Sequence, residues 1–169
     1  MRALVVAPTR ELAEQIHSTI SELGRETGLR SVTVYGGVGI NPQIARLKKG
    51  VEIVIACPGR LLDHLNQKTI DLSRLEVLVL DEADQMFDMG FLPDVRRIFA
   101  RLPKQRQTML FSATISDEVM ALSARYMNRP EEGMQAPDKM TVDEVHQTCF
   151  LVPQERKKRK RKNWSETTD

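Results

Sequence analysis

The chain has 169 residues, of which 41% are hydrophobic and 28% charged, with two cysteines and a formal net charge of +2. Its length suits one domain with a sizeable core. Two cysteines exclude a disulfide framework and favour a reducing, cytoplasmic compartment. No apolar run approaches the roughly 18 residues that a membrane span requires, so no membrane partner is expected.

The positive charge is concentrated near the C-terminus, in the sequence RKKRKRK at residues 156–162. These seven residues leave 18 basic and 21 acidic residues among positions 1–155, a net charge of −3. The net charge of those positions therefore does not indicate nucleic-acid binding, and any such prediction must come from specific loops.

Five short, apolar, β-branched segments predict strands that are buried on both faces of a parallel sheet. They are Leu4–Ala7, Val32–Tyr35, Ile53–Ala56, Val77–Leu80 and Thr108–Phe111. Amphipathic helical patterns lie between them, so the alternation of strand and helix predicts an α/β fold with right-handed crossovers.

The first helical pattern, RELAEQIHSTISELGRETG, places Leu12, Ile16, Ile20 and Leu23 on one stripe, and Gly28 is a candidate stop. This periodicity predicts a helix that packs its apolar stripe against the sheet.

The remaining helical patterns carry their own start signals. In NPQIARLKKG, Asn41 is the candidate N-cap, Pro42 the first helical residue and Gly50 the end. GRLLDHLNQ, LPDVRRIFARL and SDEVMALSARYM predict three more helices, the last opened by Ser116.

The pattern changes after Asn128. We predict an α/β domain over residues 1–135, followed by a linker and one further strand, VHQTCFLV, over residues 136–152. Residues 153–169 contain too little apolar surface to order themselves and are predicted to be disordered.

A polar turn follows every predicted strand: PTRELA (8–13), GGVGINP (36–42), CPGR (57–60), DEAD (81–84) and SAT (112–114). The carboxyl ends of parallel strands meet at one edge of the sheet, where ligands collect. Turns that lead into helices leave backbone N–H groups free for anions. The pattern therefore predicts a polyanion that follows this edge.

Three carboxylates, Asp81, Glu82 and Asp84, follow the fourth predicted strand. Carboxylates in this position commonly hold a divalent cation that bridges nucleotide phosphates. The alternative is a solvated helix start, where each acid stabilises the first turn by ~0.3–1 kcal/mol. The tetrapeptide alone leaves both interpretations open.

The five motifs, in this order and with helices between them, resemble the first RecA-like domain of DEAD-box ATP-dependent RNA helicases. The likeness extends over about residues 2–150 and includes LLDHL, DMGF and LFSAT. The wording INPQIARL and DLSRLEVLVLDEAD is most similar to the small bacterial members. The resemblance implies a RecA-like P-loop NTPase fold, ATP and Mg²⁺ as cofactors, and RNA bound through its backbone with little sequence specificity.

The resemblance also implies roles for single residues. Asp81 would lie near Mg²⁺, through water, and Glu82 would polarise the attacking water. Asp84, Ser112 and Thr114 would couple hydrolysis to strand separation. The residues implied to contact RNA are Pro8, Thr9, Arg10, Glu11, Gly36, Gly37, Pro58, Gly59 and Arg60.

Most of these residues also have a purely structural interpretation. Arg10 could be an ordinary surface residue, and Arg60 an ion-pair donor at a helix start. The glycine pair could be a tight turn, and Ser112 with Thr114 could be a helix-cap cluster.

Two lookalikes are rejected. GGVGINP lacks the third glycine of a dinucleotide-binding fingerprint because Pro42 stands there. His17, His64 and His146 share no metal-binding spacing, and the first two are expected to be ordinary helix residues.

The chain departs from the family pattern where the family binds ATP. The Gly-rich P-loop GxxxxGK[ST] and the adenine-recognition motif do not occur in it. By the resemblance we expect a partial first domain, with residues 145–152 as the start of a second domain whose remainder, including its arginine fingers, is missing. We therefore expect weak or no ATP binding and no unwinding by this chain alone.

Two further departures affect structure. In the family the P-loop strand pairs beside the SAT strand, so Thr108–Phe111 is expected at the sheet edge, with poor solubility or a loosened sheet. Cys57 replaces the usual threonine before PGR, which puts one RNA contact in doubt.

The sequence leaves three readings of function. The first is a helicase fragment that is inactive alone. The second is a non-enzymatic RNA-binding or interfering module that uses the phosphate-facing loops and the basic tail. The third is a truncated or frame-shifted reading of a longer gene.

Overall fold

The computed structural model describes residues 1–133, which form five strands and six helices. The strands are β1 (Ala3–Val6), β2 (Ser31–Val34), β3 (Ile53–Ala56), β4 (Val77–Leu80) and β5 (Gln107–Leu110). The helices are α1 (Arg10–Leu23), α2 (Ile40–Lys48), α3 (Pro58–Asn66), α4 (Ala83–Asp88), α5 (Leu92–Phe99) and α6 (Asp117–Tyr126). Each predicted strand is present within one residue of its expected bounds.

The five strands form one parallel sheet in the order β2-β3-β1-β4-β5. The middle strand, β1, pairs with β3 and β4, so Leu4 lies opposite Val54 on one side and Leu78 on the other. All three side chains are fully buried, as continuous apolar strands between helical layers should be. The predicted α/β fold with a parallel sheet is confirmed.

Strand β5 lies at one edge of the sheet, as predicted. Among the described residues it pairs with β4 alone, along its whole length from Gln107 to Leu110, and the backbone N–H of Phe111 extends the ladder to Leu80 O. The pairing with β4 is complete at this edge, and poor solubility or a loosened sheet stays a prediction.

Helix α1 ends earlier than predicted. It stops at Leu23, and the N–H of Gly24 bonds to Ile20 O at 2.8 Å. A Cβ at Gly24 would lie only 2.8 Å from that same oxygen, so the chain turns where only glycine fits. Placing Leu23 on the buried stripe was wrong: its side chain is 79% exposed, while Leu12, Ile16 and Ile20 pack against the sheet.

The start of α2 also differs from the prediction. Gly39 is the N-cap, so Asn41 lies inside the helix, and Pro42 is its third residue rather than its first. Proline is tolerated there because N–H groups of the first turn have no partner within the helix. Ser116, by contrast, caps α6 as predicted, with its hydroxyl oxygen accepting from Val119 N at 3.3 Å.

Residues 1–130 form one compact unit. The predicted segments 136–152 and 153–169 lie outside the described residues. Within residues 1–133, no helix has the length and apolar character needed to cross a bilayer.

Candidate functional site

The carboxyl ends of all five strands lie side by side at one edge of the sheet, which we call the carboxyl edge. Backbone bonds of 2.8–3.0 Å tie each neighbouring pair of strand ends together. The sheet order places the loops in the sequence 36–39, 57–60, 8–11, 81–84 and 112–114. The structure therefore brings every predicted site residue to one continuous row of loops.

The row divides at the centre of the sheet. Strand β1 lies between β3 and β4. The chain therefore places β2 and β3 on one side of β1, and then β4 and β5 on the other side. Such a switch of direction opens a crevice at the strand ends, where α/β proteins bind their ligands. Here the two loops that flank it are residues 8–11 and the acidic loop, residues 81–84.

The acidic loop contains a strained residue. Glu82 adopts a left-handed conformation, with φ 49° and ψ 54°, and its N–H donates to the Asp81 carboxylate at 3.0 Å. A non-glycine residue held in this region costs of order 1–3 kcal/mol and is frequent at functional sites. The loop is anchored where Ala83 N donates to Phe111 O at 3.0 Å.

The acidic loop and the 112–114 loop are joined by side-chain hydrogen bonds. The Asp84 carboxylate accepts from the backbone N–H and the hydroxyl of Thr114, both at 2.8 Å. Ser112 Oγ accepts from Asp84 N at 3.2 Å and donates to Thr114 O at 2.7 Å. Ser116 is the N-cap of α6, so Ser112 and Thr114 do not form the helix-cap cluster of the structural interpretation.

The same bonds keep Asp84 ionised. Partial burial raises its pKa, but donation from Thr114, with further bonds from Gln85 and Ser112, outweighs that effect and leaves the pKa below its ordinary value. Hydrogen bonds to the charged form have this effect on any carboxylate.

On the other half of the row, Thr9 and Arg10 begin α1. The Thr9 hydroxyl oxygen accepts from Leu12 N at 3.2 Å and caps the helix. Arg10 contacts Glu11 at 2.7 Å, and its side chain is 61% exposed. Exposed pairs of this kind contribute little to stability, so Arg10 can exchange its partner at small cost.

The glycine pair is only partly explained by its turn. Gly37 has φ +80°, a conformation that favours glycine, whereas Gly36 does not. A Cβ at either position would meet no atom within 4 Å among the described residues. The tight-turn interpretation therefore accounts for Gly37 and leaves Gly36 with no structural reason to lack a side chain.

Arg60 does not project freely from α3. Its Nη1 donates to Val38 O at 3.0 Å, and its Nε lies 3.5 Å from the Asp63 carboxylate. The side chain is only 14% exposed. The ion pair of the structural interpretation is present, together with a link to the glycine loop, and RNA contact by Arg60 stays a prediction.

Cys57 is the N-cap of α3 and makes no side-chain capping bond. Burial, with a smaller contribution from the Glu11 charge, raises the pKa of its thiol to about 11. The thiol is therefore protonated at neutral pH and unreactive.

Sequence reasoning missed two residues beside the site, His64 and Gln43. The two histidines that the sequence assigned to helices do lie in helices, His17 in α1 and His64 in α3. His64, however, is completely buried and contacts both Gln43 and Thr69. Its spacing of three residues from Leu61 was the available signal, because that places it on the apolar face of α3.

Carboxylates at the acidic loop are too few to enclose a metal by themselves. No group of three His, Cys, Asp or Glu side chains in residues 1–133 has metal-binding geometry. Mg²⁺ commonly keeps several waters and binds through one or two carboxylates and the substrate phosphates. Asp81, the residue predicted to lie near Mg²⁺, fits this second mode.

Comparison with known proteins now gives the family. The description "DEAD/DEAH box helicase" matches residues 1–122. The chain belongs to the DEAD/DEAH box helicase family. The family that the resemblance indicated is therefore confirmed, and the roles of single residues in the five loops stay predictions.

Individual relatives agree with this family. The chain is 45% identical, over 92% of its length, to the ATP-dependent RNA helicase RhlB of Xanthomonas axonopodis pv. citri. It is 43% identical, over 93% of its length, to the DEAD-box ATP-dependent RNA helicase CshA of Streptococcus pneumoniae. It covers only 28% and 30% of those two proteins, so this helicase chain spans about a third of their length.

A solved structure matches the fold as well. A hypothetical ATP-dependent RNA helicase from Sulfolobus tokodaii superposes with a TM-score of 0.74 at 43% identity. The match covers 78% of this chain and 39% of that one. The helicase fold of the described residues is therefore shared with a solved helicase.

Proposed function

We propose that this chain forms the RNA-facing and carboxylate-bearing part of an ATP-dependent RNA helicase, in which RNA-stimulated ATP hydrolysis drives duplex unwinding. One observation carries the proposal: the carboxyl edge places the three loops predicted to face RNA beside an acidic loop that is bonded to the 112–114 loop. A surface that only bound RNA would not need the acidic loop and its bonds to residues 112–114.

The RNA half consists of residues 8–11, 36–39 and 57–60. RNA phosphates would approach the bare backbone at Gly36 and Gly59, where a Cβ would meet no atom within 4 Å, and the exposed guanidinium of Arg10. Pro8, Thr9 and Glu11 shape the start of α1, whose free N–H groups favour anions. Backbone contacts of this kind predict little sequence specificity.

The nucleotide half consists of the acidic loop. Bound Mg²⁺ and ATP would supply the phosphoryl group and its charge neutralisation. Asp81 would hold the metal's water shell, and Glu82 would orient and polarise the attacking water. The left-handed backbone of Glu82 makes this residue the N-cap of α4.

Coupling between the halves would pass through Asp84. Its carboxylate already holds Thr114 by two hydrogen bonds, so a shift of the acidic loop on hydrolysis would move residues 112–114. We propose that this link, with Ser112, transmits hydrolysis to strand separation.

We also propose that these 169 residues alone, in the cytoplasm, bind ATP weakly and do not unwind RNA. No GxxxxGK[ST] sequence occurs in them, and this loop supplies the phosphate cradle and the lysine of the reaction.

The experiment measures RNA-stimulated ATP hydrolysis and RNA affinity side by side. The variants are Glu82→Gln, its charge-matched control Glu22→Gln on the exposed face of α1, and a deletion of residues 156–169. We expect RNA binding without turnover for the chain alone. Turnover that Glu82→Gln abolishes and Glu22→Gln preserves would refute the proposed inactivity, and absence of RNA binding would refute the RNA role.

The second candidate is a non-enzymatic RNA-binding module. The basic run at residues 156–162 favours it, because each phosphate that a basic residue neutralises on a single strand contributes roughly −0.7 to the slope of log affinity against log salt. If deletion of residues 156–169 removed all RNA affinity, this candidate would replace the first.

A further inference from the structure

A row of three polar side chains, two of them buried, contacts the glycine loop from inside the domain, and we call it the relay. It consists of Thr69, His64 on α3 and Gln43 on α2. His64 is 0% exposed and Gln43 5% exposed. His64 Nδ1 lies 2.7 Å from Thr69 Oγ1, and His64 Nε2 lies 3.3 Å from Gln43 Oε1.

The orientation of the Gln43 amide is fixed by its partners. Gln43 Nε2 donates to Tyr35 O at 3.0 Å and to Gly39 O at 3.4 Å. Turning the amide round would place its oxygen against two carbonyls, so Oε1 faces His64 and accepts from Nε2–H. The Thr69 hydroxyl carries one proton and donates to His64 O at 3.1 Å, while its oxygen also contacts His64 Nδ1. No buried side-chain nitrogen or oxygen in the described part of the chain lacks a partner.

The carbonyls that receive these bonds bracket the glycine pair. Tyr35 precedes Gly36, and Gly39 follows Val38. Val38 O is held in turn by Arg60. Three of the five carbonyls between residues 35 and 39 are therefore fixed by side chains of α2 and α3.

Holding these carbonyls reduces the entropy cost of ordering the glycine loop on a ligand. Two adjacent glycines have more backbone freedom than any other pair, and ordering them on a ligand costs conformational entropy. A loop that is already held from inside presents its outer face in one conformation, so a ligand does not meet that cost.

We propose that Gln43 and His64 are positioning residues for RNA: they hold residues 36–38 in the conformation that binds the RNA backbone, without touching RNA themselves. The inference rests on the proposed RNA-binding function. It assigns the loop's affinity to buried side chains in addition to the exposed motif residues.

The test uses Gln43→Leu and His64→Leu, which remove the relay, and His64→Gln, whose amide N–H can still donate to Gln43 Oε1. Leu61→Val is the matched control, because Leu61 is equally buried on α3 and is not part of the relay. RNA affinity is measured by fluorescence anisotropy with a labelled single-stranded oligouridylate. Backbone order at Gly36 and Gly37 is measured by ¹⁵N relaxation, and stability by urea unfolding.

We expect about tenfold weaker RNA binding in both leucine variants, the size of effect that one net hydrogen bond produces. The order parameters of the glycine pair should fall from about 0.85 towards 0.6. His64→Gln should restore both quantities. Leu61→Val should lower stability and change neither.

Two outcomes overturn the inference alone: unchanged order at the glycine pair in both leucine variants, or lost order with unchanged RNA affinity. A third outcome is distinct. If the wild-type chain does not bind the oligouridylate, the proposed function fails, and the role of the relay in RNA binding fails with it.

Discussion

Replacing Thr114 by valine should destabilise the domain by removing one bond to the Asp84 carboxylate. The substitution preserves the shape of the side chain and the backbone N–H bond, and it deletes only the hydroxyl that donates at 2.8 Å. Ser112 remains to accept from Asp84 N. The measured change therefore reports one charge-assisted hydrogen bond.

The expected loss is about 1 kcal/mol. Hydrogen bonds to charged groups contribute ~1.5–3 kcal/mol, and this one falls below that range because Thr114 is exposed and Asp84 only half-buried. For a domain of this size the loss lowers Tm by about 3–5 °C.

The loss should also depend on pH. The pKa of Asp84 is lowered in the folded state, so the stabilisation is complete above the unfolded value of about 3.9 and disappears as the pH falls through the folded pKa. The cost of Thr114→Val should therefore shrink below about pH 3.9.

Urea unfolding of a double-mutant cycle with Asp84→Asn measures this coupling. Thr19→Val is the control, since its exposed hydroxyl donates only to the Gln15 carbonyl, and its effect should not vary with pH. If Thr114→Val cost the same in the wild-type and Asp84→Asn backgrounds, to within about 0.3 kcal/mol, the hydroxyl would not stabilise the carboxylate and the reasoning would fail.

Three other changes test the fold. Cys57→Ser should stabilise by about 0.5–1 kcal/mol in urea unfolding, because a hydroxyl can supply the capping bond that the thiol does not make; a loss would show that hydroxyl burial outweighs the cap. Leu78→Ala, at the fully buried centre of the sheet, should cost about 3–5 kcal/mol by calorimetry, and a cost under about 1 kcal/mol would contradict the assigned core. Burial and, to a smaller extent, the Arg60 charge lower the pKa of His64 in the folded state. The unfolded chain therefore takes up a proton first as the pH falls below about 6.5, and the wild type should lose stability relative to His64→Gln. Parallel pH profiles of stability for the two proteins would rule this out.

Much of the fold could be predicted because it follows from local patterns. Continuous apolar segments marked every strand, and the polar turns after them marked the loops of the carboxyl edge. The order of those loops in space was not predictable from spacing alone, since β1 is first in the chain and lies in the middle of the sheet.

The errors arose where tertiary contacts decide. Leu23 fitted the helical stripe, but the backbone turn at Gly24 ended the helix first. The relay residues Gln43 and His64 were missed because their partners are backbone carbonyls and a threonine hydroxyl brought together by the fold. The hydrogen bond from Arg60 to Val38 O was also not predictable, because the fold brings these two residues together.

The central place of β1 has a mechanical consequence. Adjacent strands of a sheet are about 4.8 Å apart, so the loop after β1 and the loop after β4 are separated by a single interstrand step, across a ladder of backbone bonds. A displacement at one of these loops reaches the other through stiff secondary structure, and no hinge or long lever arm is needed to carry it.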